Sequence, residues 1–214
     1  MARTEQTGRT ELTEQTERRT FTNAARRAQI VAAAIDTIAE LGYVKASFVK
    51  ITERAGLSSP RMISYHFADK DDLMHQIVRE VFTAGAEFIG ARMAGQETVA
   101  GKLRAYLEAN LRFLREHPRA MLALAEIGPH VREPGGRPYT SQSAQEPSVR
   151  GLEELLSAGQ RSGEFRDFDV HAMAVMIRGA VDAAAQRLRG EPGLDFDAYT
   201  HELVTAFARA TRSD

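Results

Sequence analysis

The stretch "SFVKITERAGLSSPRMISYHF", residues 47–67, constrains the fold of this chain more than any other. It holds two short apolar-periodic segments separated by a turn. Phe48, Ile51 and Ala55 recur at helical spacing, so they share one face. After the turn, Ile63 and Phe67 share a face in the same way. Ser47 stands where a serine hydroxyl would accept a backbone N–H and start the first helix. Gly56 ends it, and "LSS" makes the turn. Ser59 is placed to cap the second helix, with Pro60 at the first helical position, where a missing N–H costs nothing. Two short helices joined by a tight glycine-containing turn form a helix-turn-helix.

The flanking sequence extends this helical pattern. "AARRAQIVAAAIDTIAELG" places Ile30, Ala34, Ile38 and Leu41 on one face, and Gly42 suits the position just past a helix end. Asp69, with Asp72 three residues on, opens a long helix whose stripe runs through Leu73, Ile77, Val81 and Phe88 toward Gly95. Five more helices are predicted, at about 97–116, 118–128, 147–163, 169–189 and 195–211. Pro118, Gly128-Pro129, Gly163 and Gly190 to Gly193 separate them. No alternating strand pattern occurs. Residues 1–22 are polar and read as a disordered tail. The predicted fold is all-α: a three-helix helix-turn-helix domain at 23–69, then a larger helical domain at 70–214.

The second short helix has an outer face of unusual chemistry. With Ile63 and Phe67 inward, Arg61 and Tyr65 point the other way, and Met62 and Ser64 lie at the flanks. A guanidinium donates two hydrogen bonds to guanine O6 and N7 in a major groove wide enough for a helix. Tyrosine and serine hydroxyls reach phosphates or base edges. Helix N-termini near Ser47 and Lys70 offer backbone N–H groups to phosphate. Lys50, Ser58, Ser59 and His66 complete the candidate DNA-binding set. The plain alternative is a solvated surface helix. Charge favours DNA: between Arg18 and Phe67 eight cations stand against three carboxylates, although the whole chain carries −1.

The residues "AAAIDTIAELGYVKASFVKITERAGLSSPRMISYHFADKDDL" resemble the DNA-binding domain of the TetR family of bacterial transcriptional regulators. The likeness rests on Leu41-Gly42-Tyr43, on Ser47, on Ala55-Gly56, on Tyr65-His66-Phe67 and on Lys70. It departs from the family pattern in having one extra residue between Gly56 and Phe67, and Ile63-Ser64 in place of a leucine-tyrosine pair. The resemblance implies a homodimer that pairs through the last two helices. It also implies a near-palindromic DNA operator and a small-molecule effector bound by the second domain. Repression is the expected direction, with activation or dual action as the alternative. A helical carrier or enzyme that merely retains the fold is a further alternative.

The second domain is consistent with these expectations on its own terms. "HAMAVMIRGAVDAAAQRL" and "AYTHELVTAFARA" are rich in small residues that allow close helix contact. Ala180 and Ala184 are candidates for the partner-facing surface. Candidate effector-binding residues are Phe88, Tyr106, Phe113, Met121, Leu124, Met173, Met176 and Ile177, with the polar Asn110, Glu126, His130 and Arg178 among them. Each apolar member equally suits plain core. Arg178 and Asp182, four apart, equally suit a structural ion pair. The 129–147 connection is a candidate cover for the pocket.

Enzyme signatures are weak. "HELVT" at 201–205 lacks the second histidine of a zinc-protease helix, and "PGGRPYT" lacks the P-loop ending. There are no cysteines, and the six histidines are scattered, so no metal site and no cofactor is expected. No apolar run is long enough to span a bilayer, and the N-terminus has no secretory pattern, so a cytoplasmic location is expected.

Overall fold

The computed structural model describes residues 23–132 and 141–213. The N-terminal polar tail and part of the 129–147 connection lie outside the described residues. The helices are α1 (23–41), α2 (Phe48–Arg54), α3 (Arg61–His66), α4 (Lys70–Ala94), α5 (Val99–Glu116), α6 (Pro118–Ile127), α7 (Ser141–Ser162), α8 (Val170–Gly190) and α9 (Phe196–Thr211). Among the described residues, the bridge between Phe165 and Arg212 is isolated and belongs to no sheet. The chain divides into two compact units at Ile77/Val78, and α4 contributes to both.

The first unit packs α1, α2, α3 and the first turns of α4 around Ile30, Ala34, Ile38, Ile51, Ile63, Phe67, Leu73 and Ile77, all buried. The helical periodicity selects all of these; Leu41 and Phe48, which it also selects, are only half-buried. The two turns that shape the unit need left-handed backbone. Gly42 has φ 79° and Gly56 has φ 64°, a region that a Cβ disfavours. Past Gly56 the Leu57 N–H reaches back to the Thr52 carbonyl, closing the end of α2.

Two boundaries differ from the sequence reading. The N-cap of α3 is Pro60, with no side-chain cap; Ser59 contributes its carbonyl, which accepts from the Met62 N–H at 3.1 Å. The turn wraps one residue further than the serine-cap rule anticipates, because a backbone carbonyl already satisfies that N–H. Helix α7 begins at Ser141, so Pro147 lies inside it instead of at its start. The helix continues through the one N–H that proline lacks.

The second unit is built on α5, which packs against α7, α8 and α9. Its core contains Leu103, Leu107, Leu111, Leu152, Leu156, Met173, Ile177, Val181 and Val204. The α5 N-terminus is held from a distance in sequence: the Glu164 carboxylate accepts from the Val99 and Ala100 N–H groups. Those two bonds draw the Glu164 carboxyl below its ordinary pKa. Ala184 is fully buried within this unit and Ala180 is half-buried, so Ala184 does not face outward.

Candidate functional site

The recognition surface is assembled by caps and half-buried cations. Ser47 caps α2 by accepting from the Lys50 N–H at 3.3 Å. Asp69 accepts from the Asp72 N–H at 2.8 Å, and the Asp72 carboxylate returns the favour to the Ala68 N–H at 3.1 Å. This reciprocal pair fixes the chain between α3 and α4. Arg27 of α1 ties down the far end of α3. Its guanidinium donates to the His66 carbonyl and lies over the Phe67 ring, 4.3 Å from the centroid.

With α3 held this way, Ile63 and Phe67 are buried and Arg61, Ser64 and Tyr65 are exposed. Tyr65 is 79% exposed, an aromatic ring left in solvent by a unit whose other large apolar groups are mostly packed. Met62 is half-buried, and its sulfur receives the Ser58 hydroxyl at 3.3 Å. Ser59 is half-buried and Ser58 exposed. His66 is half-buried, edge-on to Tyr65 at 5.1 Å. Burial and the Arg27 and Arg26 charges hold its imidazole below the ordinary histidine pKa, so it is neutral at pH 7. Lys50 is exposed and paired with Glu53 at 2.9 Å.

Lys70 is bound more tightly than a phosphate contact requires. Its ammonium donates to the Tyr43 carbonyl at 2.7 Å and sits 3.9 Å from the centre of the Tyr43 ring. Burial there lowers its pKa. Tyr43 and Arg27 are the residues that the sequence reading of the site missed. The aromatic ring directly after Gly42 was the available signal for Tyr43; nothing local marks Arg27.

In the second unit, the candidate effector residues separate into groups. Tyr106, Asn110 and Arg178 come together: Arg178 Nη1 donates to Asn110 Oδ1 at 3.4 Å, and Asn110 Nδ2 donates to the Tyr106 carbonyl at 2.8 Å. Met173 and Ile177 share the core with Tyr106, and Met121 packs against it. Phe88 and Phe113 form a separate ring pair at 5.4 Å, with Arg92 lying over Phe88. Leu124 is half-buried, while Glu126 and His130 are exposed. Met176 is 54% exposed on α8, away from Met173 and Ile177. A cleft of about 180 Å³ lies between α5, α9 and the Glu164-Phe165 turn; none of the candidate residues lines it. Among the described residues no cluster of three or more His, Asp or Glu side chains is placed to hold a metal ion. No described helix is long and apolar enough to cross a membrane.

A short helix that turns arginine, serine and tyrosine outward, held behind a capped helix by a tight turn, defines a helix-turn-helix DNA-binding protein. Residues 30–77 match the model of the bacterial regulatory proteins, tetR family. The HTH-type transcriptional regulator BetI of Paraburkholderia phytofirmans is 33% identical over 169 residues, covering 77% of this chain and 78% of that protein. BetI of Cronobacter sakazakii is 27% identical over 198 residues, covering 86% and 89%. Among solved structures, the fatty acid degradation regulator FadR from Bacillus halodurans superposes with a TM-score of 0.72 at 21% identity, covering 86% of this chain and 94% of that one. FadR from Bacillus subtilis, in complex with stearoyl-CoA, gives 0.70 at 20% identity, covering 85% and 97%. The chain belongs to the tetR family of bacterial regulatory proteins and is an HTH-type transcriptional regulator.

Proposed function

We propose that this regulator is a repressor that binds a near-palindromic operator as a homodimer and is released by a small, largely apolar effector. The observation that carries the reading is the outward triad Arg61, Ser64 and Tyr65 on a helix anchored from its other side by buried Ile63 and Phe67. Arg61 reads a guanine, Tyr65 and Ser64 reach phosphate or a base edge, and the N-terminus of α2 at Ser47 meets the backbone. Lys50, Ser58 and Met62 flank this contact surface. In this reading the protein is cytoplasmic and performs no enzymatic step.

Dimerisation through α8 and α9 is supported by the solvent face of α8. Ala172, Val175, Met176, Gly179 and Ala183 recur at helical spacing and are all exposed, with Val175 at 47% and Met176 at 54%. An apolar stripe of this kind suits an isologous contact. An effector site in the second unit is supported by the polar cluster inside its core and by the acyl-CoA complex of a structural neighbour. Because α4 is one helix shared by both units, a ligand that shifts it would change operator affinity.

Selection of bound fragments from genomic DNA tests the reading. The expected result is a set of fragments sharing two half-sites one helical turn apart. Recovery of no enriched sequence would overturn it, and transcription that falls when the gene is deleted would replace repression with activation.

A further inference from the structure

Among the described residues, one buried side-chain polar atom makes no hydrogen bond, the hydroxyl of Tyr106. The residue is 9% exposed, in the middle of α5. The Arg178 guanidinium and the Asn110 amide lie beside its oxygen as donors, and no group is placed to accept its hydrogen. Burial raises its pKa, so it is a neutral O–H donor at pH 7. A buried donor with no acceptor is destabilising, and native chains retain few of them without a reason.

Arg178 supplies the second half of the observation. Its side chain is 13% exposed. Nε and Nη2 both donate to the same Asp182 oxygen, at 3.2 and 2.5 Å, and Nη1 donates to Asn110 at 3.4 Å. A guanidinium has five N–H groups. Three are committed to Asp182 and Asn110, and the guanidinium also lies within bonding reach of the Tyr106 hydroxyl. Asp182 is more open than its partner, at 31%, so its carboxylate can turn to solvent.

We propose that the Tyr106 hydroxyl and the Arg178 guanidinium beside it anchor the anionic head of an otherwise apolar effector, with Asp182 as the internal carboxylate that competes for the same guanidinium. The inference rests on the ligand-responsive reading above and gives its effector a chemical class. An acceptor that satisfies Tyr106 necessarily meets the guanidinium beside it. Charge-assisted bonds from such a pair favour a carboxylate over a neutral acceptor and disfavour a cation. The body of the effector is apolar because Tyr106 belongs to the same apolar core as Leu107, Leu111, Met173, Ile177 and Val181. Asp182 keeps the guanidinium compensated when no anion is bound, which a buried arginine needs.

The test is titration of the full chain with straight-chain carboxylates from butyrate to decanoate. The matched 1-alkanols and alkyltrimethylammonium ions are run alongside, with binding read by calorimetry and thermal shift. The expected result is binding by carboxylates, with alcohols at least about tenfold weaker, as a charge-assisted bond implies. Tyr106→Phe, which keeps the ring, should weaken carboxylate binding by about tenfold or more. Asp182→Asn should strengthen it, because the competitor is gone while the side-chain shape is kept. Alcohols or ammonium ions binding as well as carboxylates would overturn the anionic head. Unchanged affinity in Tyr106→Phe would overturn the anchor and leave its hydroxyl bound to water only. Weaker binding in Asp182→Asn would show that Asp182 supports the site instead of competing for it. Operator binding is measured on the same wild-type sample. If the operator is bound and no carboxylate is, this inference fails and the regulator reading stands. If no operator is found, the regulator reading fails whatever the carboxylates do.

Discussion

The Lys70 ammonium sits 3.9 Å from the centre of the Tyr43 ring and donates to the Tyr43 carbonyl at 2.7 Å, across 27 residues of sequence. The contact joins the start of α4 to the turn that leads into α2. It therefore sets where Ser47 and the α2 N-terminus stand. In the proposed reading Lys70 serves the DNA surface in two ways: as a cation, and as the clasp that positions a backbone phosphate contact.

These two roles separate by mutation. Lys70→Ala removes both, so operator affinity should fall for all sequences alike and the salt slope should flatten by about one ion. Tyr43→Ala leaves the charge and removes the ring, a cation–π contact of about 0.5–2 kcal/mol. It should weaken operator binding with the salt slope unchanged. Mobility shifts across a salt series read both. Full affinity in Tyr43→Ala would reduce Lys70 to a charge.

Arg61 is the residue expected to read sequence. Arg61→Ala should lose about 1–3 kcal/mol on the preferred operator and little on competitor DNA. Tyr65→Phe should lose less and leave base preference intact, since a phosphate contact carries no sequence information. Competition binding with single-base operator variants measures both. An Arg61→Ala protein that still ranks the variants as before would place base reading elsewhere on α3.

His66 gives the first unit a pH dependence whose sign is fixed. Its folded pKa is lowered, so the unfolded chain binds a proton more readily near pH 6.5, the ordinary histidine value. Stability is then full above that value and declines as pH falls through it toward the folded pKa. Urea unfolding followed from pH 8 to pH 5 should show this decline, and His66→Gln should remove part of it. A decline of the same size in His66→Gln would assign the effect to other groups.

Much of this was legible in the sequence, because the first unit obeys local rules. Helical spacing selected Ile30, Ala34, Ile51, Ile63 and Phe67, and each is buried. Ser47 and Asp69 cap as their residue types prefer. Contacts that cross many residues were not legible. Lys70 to Tyr43, Arg27 to His66 and Glu164 to the α5 N-terminus carry no periodic signal. The same limit explains Ala184 and Met176. On a helix as rich in alanine as α8, small residues lie all the way round, so composition does not say which face is inward.

The exposed stripe of α8 yields a test of the dimer that leaves the protomer intact. A Cβ built on Gly179 meets nothing within 4 Å in the chain, and Val175 and Met176 beside it are open to solvent. Gly179→Leu should therefore be tolerated by the single chain, and helix propensity favours it by up to about 1 kcal/mol. If the stripe pairs with its symmetry mate, the added side chain holds the two helices apart, where glycine had allowed close approach. Light scattering should then report monomer, circular dichroism should stay helical, and operator affinity should collapse, because two half-sites require two linked heads. Ala184→Asp is the contrasting variant. Ala184 is fully buried in the protomer, so a charge there lacks a partner and should unfold the second unit itself. A Gly179→Leu protein that remains dimeric with full operator affinity would move the interface off this face of α8.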